Sequence, residues 1–366
     1  MTKIKIYIDC RSLTEKITGV GFYTLNLIKL LSSNEGFEVT LCSHKPLSKV
    51  AINILSNYDN IVVRKPKIRM NSFLWYNFIF PFQAWINNSN YIWASCNLIP
   101  ILNFNRSILT VHDLLYLNIK GSIGFSFTSQ LFLLQKYSII NSSFIVTPSN
   151  FTKQDIEARF KTDKSIDVFF PLINSEVNSI LSNYDSINIS FIKNSLLFVG
   201  DYQKRKNIKF LITLLPLLKK LKLKLIIAGV EYIPKNFTPD ENLIINNNSD
   251  IVRFLGFISD SELNFLYSSS YSLIYPSLFE GFGIPSILAM KFSTPVIASS
   301  NSTLPEIVGA YGVMVKGYDL VAWERGLARL IKNYSSYRVK ANKRYKMIKK
   351  YNWTNFNKFI TKIKNN

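Results

Sequence analysis

Cysteine, histidine and acidic residues are scarce in this chain of 366 residues. Its 3 cysteines include no CxxC pair and its histidines number only 2, which argues against a zinc site or a disulfide framework and favours a reducing compartment. The 23 acidic residues stand against 44 lysines and arginines, so the net charge is 44 − 23 = +21. This excess reflects either a general lysine and asparagine bias or an anionic partner: nucleic acid, an anionic membrane or a phosphorylated substrate.

Long hydrophobic runs are also missing. The most apolar stretch, FLWYNFIFPFQAWI at 73–86, contains Asn77, Pro81 and Gln83 and falls short of the roughly 18 apolar residues that a membrane-spanning helix needs. We interpret it as a helix of the hydrophobic core, with a membrane contact as the alternative. The N-terminus lacks the features of a signal peptide. The sequence therefore predicts a cytoplasmic protein, either soluble or peripheral on the inner face of the inner membrane.

Short apolar segments alternate with helical patterns along nearly the whole chain, which predicts an α/β fold with parallel, doubly wound sheets. The predicted strands are 3–8, 37–42, 61–64, 91–95, 108–111 and 144–147, then 196–199, 223–228, 252–256, 272–275, 295–298 and 313–315. The pattern weakens between about 169 and 193. We therefore predict two Rossmann-like domains, at 1–175 and 190–350, and a last helix at 352–366 after a break at Tyr351-Asn352.

Two motifs of the first domain follow predicted strands. Gly19 and Gly21, in TGVGFY at 18–23, open a helix, where backbone N–H groups can approach an anion; a plain turn is the alternative. A dinucleotide fingerprint would need another glycine at position 24, which is Thr24, so no NAD site is predicted. His112, in VHDL at 111–114, stands at a strand's carboxyl edge and is either a donor to a ligand oxygen or a structural histidine.

Two further motifs lie in the second domain. Arg205 and Lys206, in VGDYQKRKN at 199–207, precede a helix and form either a diphosphate clamp or a solvated basic turn. Glu280, in SLFEGFGIPSILAM at 277–290, can accept two hydroxyls of a sugar, and Gly281 and Gly283 let the main chain close on the ligand. The alternative is that Glu280 only caps the following helix.

Together these segments resemble the retaining glycosyltransferases of family 4, whose GT-B fold has two Rossmann-like domains facing across a cleft. The matching pieces are IDCRSLTEKITGVGFYTLNL, TVHDLLYL, VTPSNFTKQDI, LFVGDYQKRKN, RFLGFISDSELNFLYSSS, LIYPSLFEGFGIP and TPVIASSNSTLPEIVG. The ending, NWTNFNKFITKI, resembles the family's last helix, which crosses back to the first domain. The likeness covers nearly the whole chain.

The resemblance implies a retaining, metal-independent hexosyltransferase without a cofactor. Its donor would be a nucleotide sugar, with GDP-mannose as first choice. Its acceptor would be a lipid-linked oligosaccharide of O-antigen, capsule or lipopolysaccharide synthesis, held mainly by the N-terminal domain. The residues that the resemblance implies are Glu280, His112 and Lys206 for catalysis and Gly19, Gly21, Arg205, Gly281, Phe282, Gly283 and Ile284 for donor binding.

One position departs from the family's pattern. The family usually carries a second glutamate eight residues after the first, where it holds the nucleotide ribose, and this chain has Leu288. Losing such charged hydrogen bonds costs about 1.5–3 kcal/mol of nucleotide binding. The departure supports an alternative function, a non-catalytic nucleotide-sugar-binding partner subunit. The sequence has no recognisable nucleic-acid-binding motif, so we predict no nucleic-acid partner.

Overall fold

The structure, a computed structural model, describes residues 3–15, 17–64, 66, 70–119, 124–170 and 189–365. Contacts divide the chain into two units: unit 1 contains residues 1–174 and 350–366, and unit 2 contains residues 175–349. The junction that the sequence predicts near residue 175 lies outside the described residues.

Unit 1 is built on a seven-stranded sheet in the order β3-β2-β1-β4-β5-β6-β7. All neighbouring strands pair in parallel. The strands are β1 Ile4–Asp9, β2 Phe37–Cys42, β3 Ile61–Arg64, β4 Tyr91–Ala94, β5 Arg106–Thr110, β6 Phe144–Thr147 and β7 Ile166–Val168. The strand order reverses between β1 and β4, and a crevice at such a switch point is where doubly wound sheets bind ligands.

Unit 2 repeats this design with a six-stranded parallel sheet in the order β10-β9-β8-β11-β12-β13. Its strands are β8 Ser195–Val199, β9 Lys224–Ala228, β10 Val252–Gly256, β11 Ser272–Tyr275, β12 Val296–Ser299 and β13 Val313–Val315. The strand order reverses between β8 and β11. The two parallel, doubly wound sheets confirm the predicted α/β class.

Helices connect the strands, as parallel pairing requires. In unit 1 they are α1 Gly19–Ser32, α2 Lys49–Leu55, α3 Ser72–Leu74, α4 Phe80–Ile86, α5 Leu115–Asn118, α6 Phe125–Asn141 and α7 Asn150–Phe160, with a π-helical turn, Trp75–Ile79, joining α3 to α4. The remaining helices are α8 Ile189–Lys193, α9 Ile208–Thr213, α10 Leu215–Lys220, α11 Pro239–Asn247, α12 Asp260–Ser269, α13 Ile284–Lys291, α14 Leu304–Ile307, α15 Leu320–Lys332 and α16 Tyr334–Lys364.

The prediction of strands was accurate to within one or two residues, but it missed β7, Ile166–Val168. This strand has three residues, IDV, with the charged Asp167 in the middle. So short a segment has no readable alternation, and only its pairing with β6 makes it a strand.

The predicted break at Tyr351-Asn352 was wrong, because α16 runs without interruption from Tyr334 to Lys364. Neither Tyr nor Asn forbids helical backbone angles, as proline does. Asn352 is fully buried. The part of α16 that belongs to unit 1 places Phe356 and Phe359 in the hydrophobic cluster around β1 and β4.

The interpretation of the 73–86 stretch as a core helix holds for one face only. Phe80 and Ala84 are fully buried and pack with β1 and β4 residues in the core. Phe73, Phe82 and Trp85, in contrast, are between 47% and 59% exposed. The stretch is apolar all round, so its sequence pattern did not reveal which face is covered.

Candidate active site

The candidate active site of unit 2 lies at the switch point of its sheet. The loop after β8 leads into a 3₁₀ turn, Lys204–Lys206, and the loop after β11 carries Glu280. The backbone N–H of Leu278 donates to the carbonyl of Arg205 at 2.7 Å, which joins the two loops. Because β8 and β11 are adjacent, residues far apart in sequence meet here.

Glu280 is the centre of a network that we call the Glu280 cluster, formed with Arg205, Lys206, Tyr275 and Ser277. Its Oε1 accepts hydrogen bonds from Lys206 Nζ at 2.9 Å, Tyr275 OH at 2.9 Å and Ser277 Oγ at 2.8 Å. Its Oε2 accepts one from Arg205 Nη1 at 2.7 Å. The sequence-predicted residues Arg205, Lys206 and Glu280 are therefore in direct contact.

Lys206 and Glu280 are buried side by side, and each shifts the pKa of the other. Glu280 is 5% exposed and Lys206 is 7% exposed. Burial acts to raise the pKa of Glu280, but the charges of Lys206 and Arg205 outweigh it, and the net effect lowers this pKa below the ordinary carboxyl value. Burial lowers the pKa of Lys206, and the Glu280 charge opposes this shift. The carboxylate is thus firmly ionised at neutral pH.

Two cations on one carboxylate give the cluster an excess of one positive charge (2 − 1 = +1). Arg205 is also fixed from its other side, because its Nε donates to Gln203 Oε1 at 2.7 Å. Gln203 in turn donates through Nε2 to Asp201 Oδ2 at 2.8 Å. These bonds set the direction of the guanidinium before any ligand arrives, and such a group binds phosphate oxygens well.

The backbone beyond Glu280 needs glycine. Gly283 has φ +90°, and a Cβ there would lie 2.9 Å from Leu304 Cδ2. It is also the N-cap of α13, which has no side-chain capping bond. The Glu280 carboxylate accepts the hydrogen bonds of the Glu280 cluster, so the alternative that it caps this helix is wrong. The backbone N–H of Glu280 donates to Ser302 Oγ at 2.9 Å.

The other sequence-predicted residues of this loop and helix follow in order. Gly281 is partly exposed, Phe282 is buried, and Ile284 is the first residue of α13 and partly exposed. Leu288 lies in the second turn of α13 and is also partly exposed. Its aliphatic side chain offers no hydrogen-bonding group.

A second polar group lies at the switch point of unit 1. Asp9, the last residue of β1, is fully buried and pairs with Arg11 through two hydrogen bonds of 2.9 Å. Ser95 Oγ donates to the Asp9 carbonyl at 2.6 Å. His112 is 8% exposed, and its Nε2 lies 2.7 Å from the carbonyl oxygen of Ser95.

The environment of His112 defines its protonation. A carbonyl only accepts, so Nε2 carries the proton and donates to Ser95. Burial lowers the pKa of His112, partly offset by this bond and by Asp113. His112 is therefore neutral at pH 7, with Nδ1 as an acceptor. Its ring meets that of Tyr23 edge-on, with centroids 5.1 Å apart.

Gly19 and Gly21 lie at the start of α1, where they have different surroundings. Gly19 is the first residue of the helix and is exposed. Gly21 is buried, and a Cβ there would lie 2.7 Å from the carbonyl oxygen of Ser12. Gly21 is therefore required by close packing against the Arg11–Leu13 turn, whereas the N–H end at Gly19 faces solvent.

Sequence reasoning missed Tyr275, Ser277 and the Asp9–Arg11 pair. Tyr275 and Asp9 are the last residues of β11 and β1, so position at a carboxyl edge was the signal that could have found them. Among the described residues, no group of three or more His, Cys, Asp or Glu could hold a metal ion. In the same described ranges, no helix is long and apolar enough to cross a membrane.

A family model matches the second part of this chain, and known proteins are similar to most of its length. Residues 186–352 match the family model "Glycosyl transferases group 1". O-antigen chain mannosyltransferase B of Escherichia coli is 23% identical over 96% of this chain and 97% of its own length. O-antigen chain mannosyltransferase RfbU of Salmonella typhimurium (strain LT2) is 26% identical over 86% of this chain and 87% of its own.

Solved structures share the fold. The catalytic domain of Starch Synthase IV from Arabidopsis thaliana, bound to ADP and acarbose, superposes with a TM-score of 0.72. The match covers 99% of both chains at 13% identity. The predicted GT-B class with two Rossmann-like domains is therefore confirmed.

Proposed function

Because residues 186–352 match the family model of the glycosyl transferases group 1, we propose that this chain belongs to that family and is a retaining hexosyltransferase. It transfers mannose from a nucleotide sugar to a lipid-linked oligosaccharide of O-antigen, capsule or lipopolysaccharide synthesis. GDP-mannose is the first choice of donor. Two relatives named as O-antigen mannosyltransferases support the sugar and the product class. The observation that carries the proposal is the buried Glu280 cluster with its excess positive charge.

The cluster fits the leaving group of such a transfer. A nucleoside diphosphate gains negative charge as its bond to the sugar breaks, and fixed cations in a water-poor site stabilise that charge strongly. Lys206 and Arg205 supply the cations, and Glu280 holds both in place. Glu280 is thus both a candidate ligand of sugar hydroxyls and the residue that positions the two cations.

Retention requires the acceptor oxygen to approach the face from which the diphosphate leaves. The C1–O bond to the phosphate breaks, the acceptor oxygen bonds to C1 on the same face, and its proton passes to the departing phosphate oxygen. This scheme needs no protein nucleophile. Lys206 and Arg205 provide the charge stabilisation, so the proposed scheme uses no metal ion.

The remaining residues take supporting roles in this proposal. His112 offers Nδ1 as an acceptor for a sugar hydroxyl, because its Nε2 proton is held by the Ser95 carbonyl. In unit 2, the backbone from Gly281 to Ile284 binds donor oxygens. For Gly19, at the exposed start of α1 in unit 1, a role in donor binding stays a prediction. A lipid-linked acceptor places the protein on the inner face of the cytoplasmic membrane as a peripheral protein.

Transfer from radiolabelled GDP-mannose to lipid-linked saccharides extracted from the source cells tests the proposal. We expect label in the lipid fraction and an α-linked product by NMR, since GDP-mannose carries an α-anomeric bond. UDP-glucose serves as the matched donor control. A β-linked product contradicts retention, and label from UDP-glucose alone contradicts the donor.

A second candidate function is supported by Leu288 alone. A chain that has lost a ribose ligand can serve as a partner subunit that binds nucleotide sugar without turnover. This function predicts saturable binding of the donor with neither transfer nor hydrolysis, even when every acceptor fraction has been supplied.

A further inference from the structure

The loops that follow β8, β9 and β10 are joined at the carboxyl edge of the unit 2 sheet. The backbone N–H of Gly229 donates to the carbonyl of Gly256 at 2.6 Å, and the N–H of Gly256 donates to the carbonyl of Val230 at 3.0 Å. A Cβ at Gly229, where φ is +92°, would lie 2.3 Å from the carbonyl oxygen of Gly200. Glycine at position 229 therefore lets the three loops approach one another closely, and they form one continuous edge.

Glu231 belongs to the loop after β9, and its side chain lies against the loop after β10. A Cβ at Gly256 would lie 2.7 Å from Glu231 Cγ and 3.1 Å from Glu231 Oε1, so glycine at position 256 leaves the space that this side chain occupies. Tyr202 OH donates to the Glu231 carbonyl at 3.4 Å, which ties the loop after β8 to the same residue. Both neighbouring loops thus hold Glu231 in its position at the edge.

The Glu231 carboxylate differs from that of Glu280, which accepts four hydrogen bonds within unit 2. Glu231 is exposed, and within the described ranges of the chain no hydrogen bond or ion pair involves its carboxylate. A carboxylate accepts hydrogen bonds and donates none. This one therefore offers two acceptor oxygens to a ligand that lies along the edge.

Two exposed aromatic residues belong to the same loops. Tyr202, which bonds to the Glu231 carbonyl, is 37% exposed, and Phe257, which directly follows Gly256, is 71% exposed. Large aromatic side chains are ordinarily buried, whereas exposed rings provide surfaces on which nucleic acid bases stack. The edge therefore combines rings for stacking with a carboxylate that only accepts, which is the chemistry of base recognition.

This edge is within reach of a nucleotide held at the Glu280 cluster. The cluster lies where β8 and β11 end, and β9 and β10 follow β8 on its other side in the same sheet. Because neighbouring strands are about 4.8 Å apart, the ends of β9 and β10 lie about 5 and 10 Å from that of β8. A nucleoside diphosphate whose phosphates contact Arg205 and Lys206 can extend its base over this distance.

We infer that Glu231 selects a guanine base in the donor nucleotide. Guanine presents two adjacent donors at its Watson–Crick edge, N1–H and the N2 amino group, and a carboxylate pairs with both. Uracil and thymine present one N–H between two carbonyl oxygens, and adenine and cytosine present an amino group beside an acceptor nitrogen. Each of these four bases sets an acceptor against a carboxylate oxygen, which leaves polar groups unpaired. Glu231 therefore favours guanine and also opposes the other bases.

The inference deepens the proposed function, on which it rests for a nucleotide sugar as the donor. The proposal of mannose as the sugar draws on relatives that are named as mannosyltransferases. Glu231 gives an independent reason, within this chain, for guanine as the base.

Isothermal titration of the full chain with GDP, IDP and UDP tests the inference. We expect the wild type to bind GDP about tenfold more tightly than IDP, which lacks the N2 amino group, because one hydrogen bond to a charged acceptor is lost. UDP should bind more weakly than IDP. In Glu231→Gln the amide offers one donor and one acceptor, as the uracil edge requires, so the ratio of GDP affinity to UDP affinity should fall about tenfold. The substitution is isosteric at an exposed position, so the protein should fold normally.

Asp250→Asn is the matched control for Glu231→Gln. It also removes one negative charge from unit 2, but Asp250 precedes β10 and so lies at the opposite edge of the sheet. Its ion pair with Lys219 is exposed and contributes little to stability. The ratio of GDP affinity to UDP affinity should therefore stay that of the wild type.

Equal affinities of the wild type for GDP and IDP, or an unchanged ratio in Glu231→Gln, would overturn the inference and leave the transferase proposal standing. A fall of the ratio in Asp260→Asn instead would also overturn it, because base selection would then belong to the first residue of α12. A wild type that binds none of the three nucleotides would contradict both the inference and the proposed donor site.

Discussion

The Glu280 cluster of unit 2 and the 73–86 helix of unit 1 depart from the usual distribution of residues in opposite ways. The cluster buries the charged side chains of Lys206 and Glu280 and half-buries that of Arg205, and such side chains are ordinarily exposed. The helix exposes the large aromatic side chains of Phe73, Phe82 and Trp85, and side chains of this kind are ordinarily buried. Each departure costs folding free energy, through desolvation of charge in one region and hydration of apolar groups in the other. Such losses of stability typically occur where the binding of a ligand or partner offsets them.

The largest effect is expected when a charge is removed from the cluster. We expect Lys206→Met to lower turnover about 10²–10³-fold, the cost of losing one fixed group that stabilises the transition state. Arg205 still compensates Glu280, so the protein should fold but melt earlier. Steady-state kinetics with GDP-mannose measures this effect.

Lys220→Met is the matched control for that variant. Lys220 pairs with Glu324 at 2.9 Å in the same unit, but with side chains 71% and 41% exposed. Exposed pairs contribute about 0–1 kcal/mol, so stability and turnover should hardly change. Equal loss of turnover in both variants would show that the cluster has no special role.

A variant that adds a negative charge at Leu288 tests nucleotide binding. We expect Leu288→Glu to tighten nucleotide binding about tenfold to a hundredfold, because a carboxylate at this place accepts ribose hydroxyls. Isothermal titration with GDP measures the gain, with Leu288→Met as the volume-conserving control. An unchanged affinity would mean that other residues hold the ribose.

The acid stability of the protein reports the ionisation of Glu280. Its pKa is lowered in the folded state, so the unfolded chain takes up the proton first as pH falls. The stabilisation is complete above the ordinary carboxyl pKa of about 4.3 and disappears as pH drops through the lower folded value. The free energy of unfolding, measured by urea titration, should therefore fall more steeply below pH 5 in the wild type than in Glu280→Gln. Parallel pH dependences of the two proteins would contradict this.

The smallest effect is expected on the exposed face of the 73–86 helix. Phe82→Ser should change the free energy of unfolding by less than about 0.5 kcal/mol, because the side chain is already exposed. Phe80→Ala, two residues away and fully buried, should cost about 3–5 kcal/mol. A large destabilisation in Phe82→Ser would mean that this face of the helix is packed rather than exposed.

The alternation of apolar segments was sufficient to predict both sheets, because buried parallel strands are nearly continuous apolar runs. It was insufficient for β7, which is short and held by pairing. Alternation was also insufficient for the 73–86 helix, because its buried and exposed faces are both mainly apolar. Periodicity carries no signal where both faces are apolar.

The residue types of the active site were predictable, but their contacts were not. Lys206 and Glu280 are 74 positions apart and meet because β8 and β11 are neighbours in the sheet. The sequence predicted a carboxylate that can accept sugar hydroxyls, and the structure adds that this carboxylate holds two cations. Tyr275 and Ser277 complete its coordination. The position of Tyr275 at the carboxyl edge of β11 could have singled it out, whereas nothing local in the sequence distinguishes Ser277.

The most direct test of the diphosphate site is a thermal-shift panel with GDP, UDP, ADP, CMP and dTDP at fixed salt. A ligand at 100 times its Kd adds about 2.7 kcal/mol of stability. We expect GDP to raise the melting temperature of the wild type well above the other nucleotides, and to do so far less in Lys206→Met. No shift with any nucleotide, or an equal shift in the variant, would contradict the assignment of the Glu280 cluster.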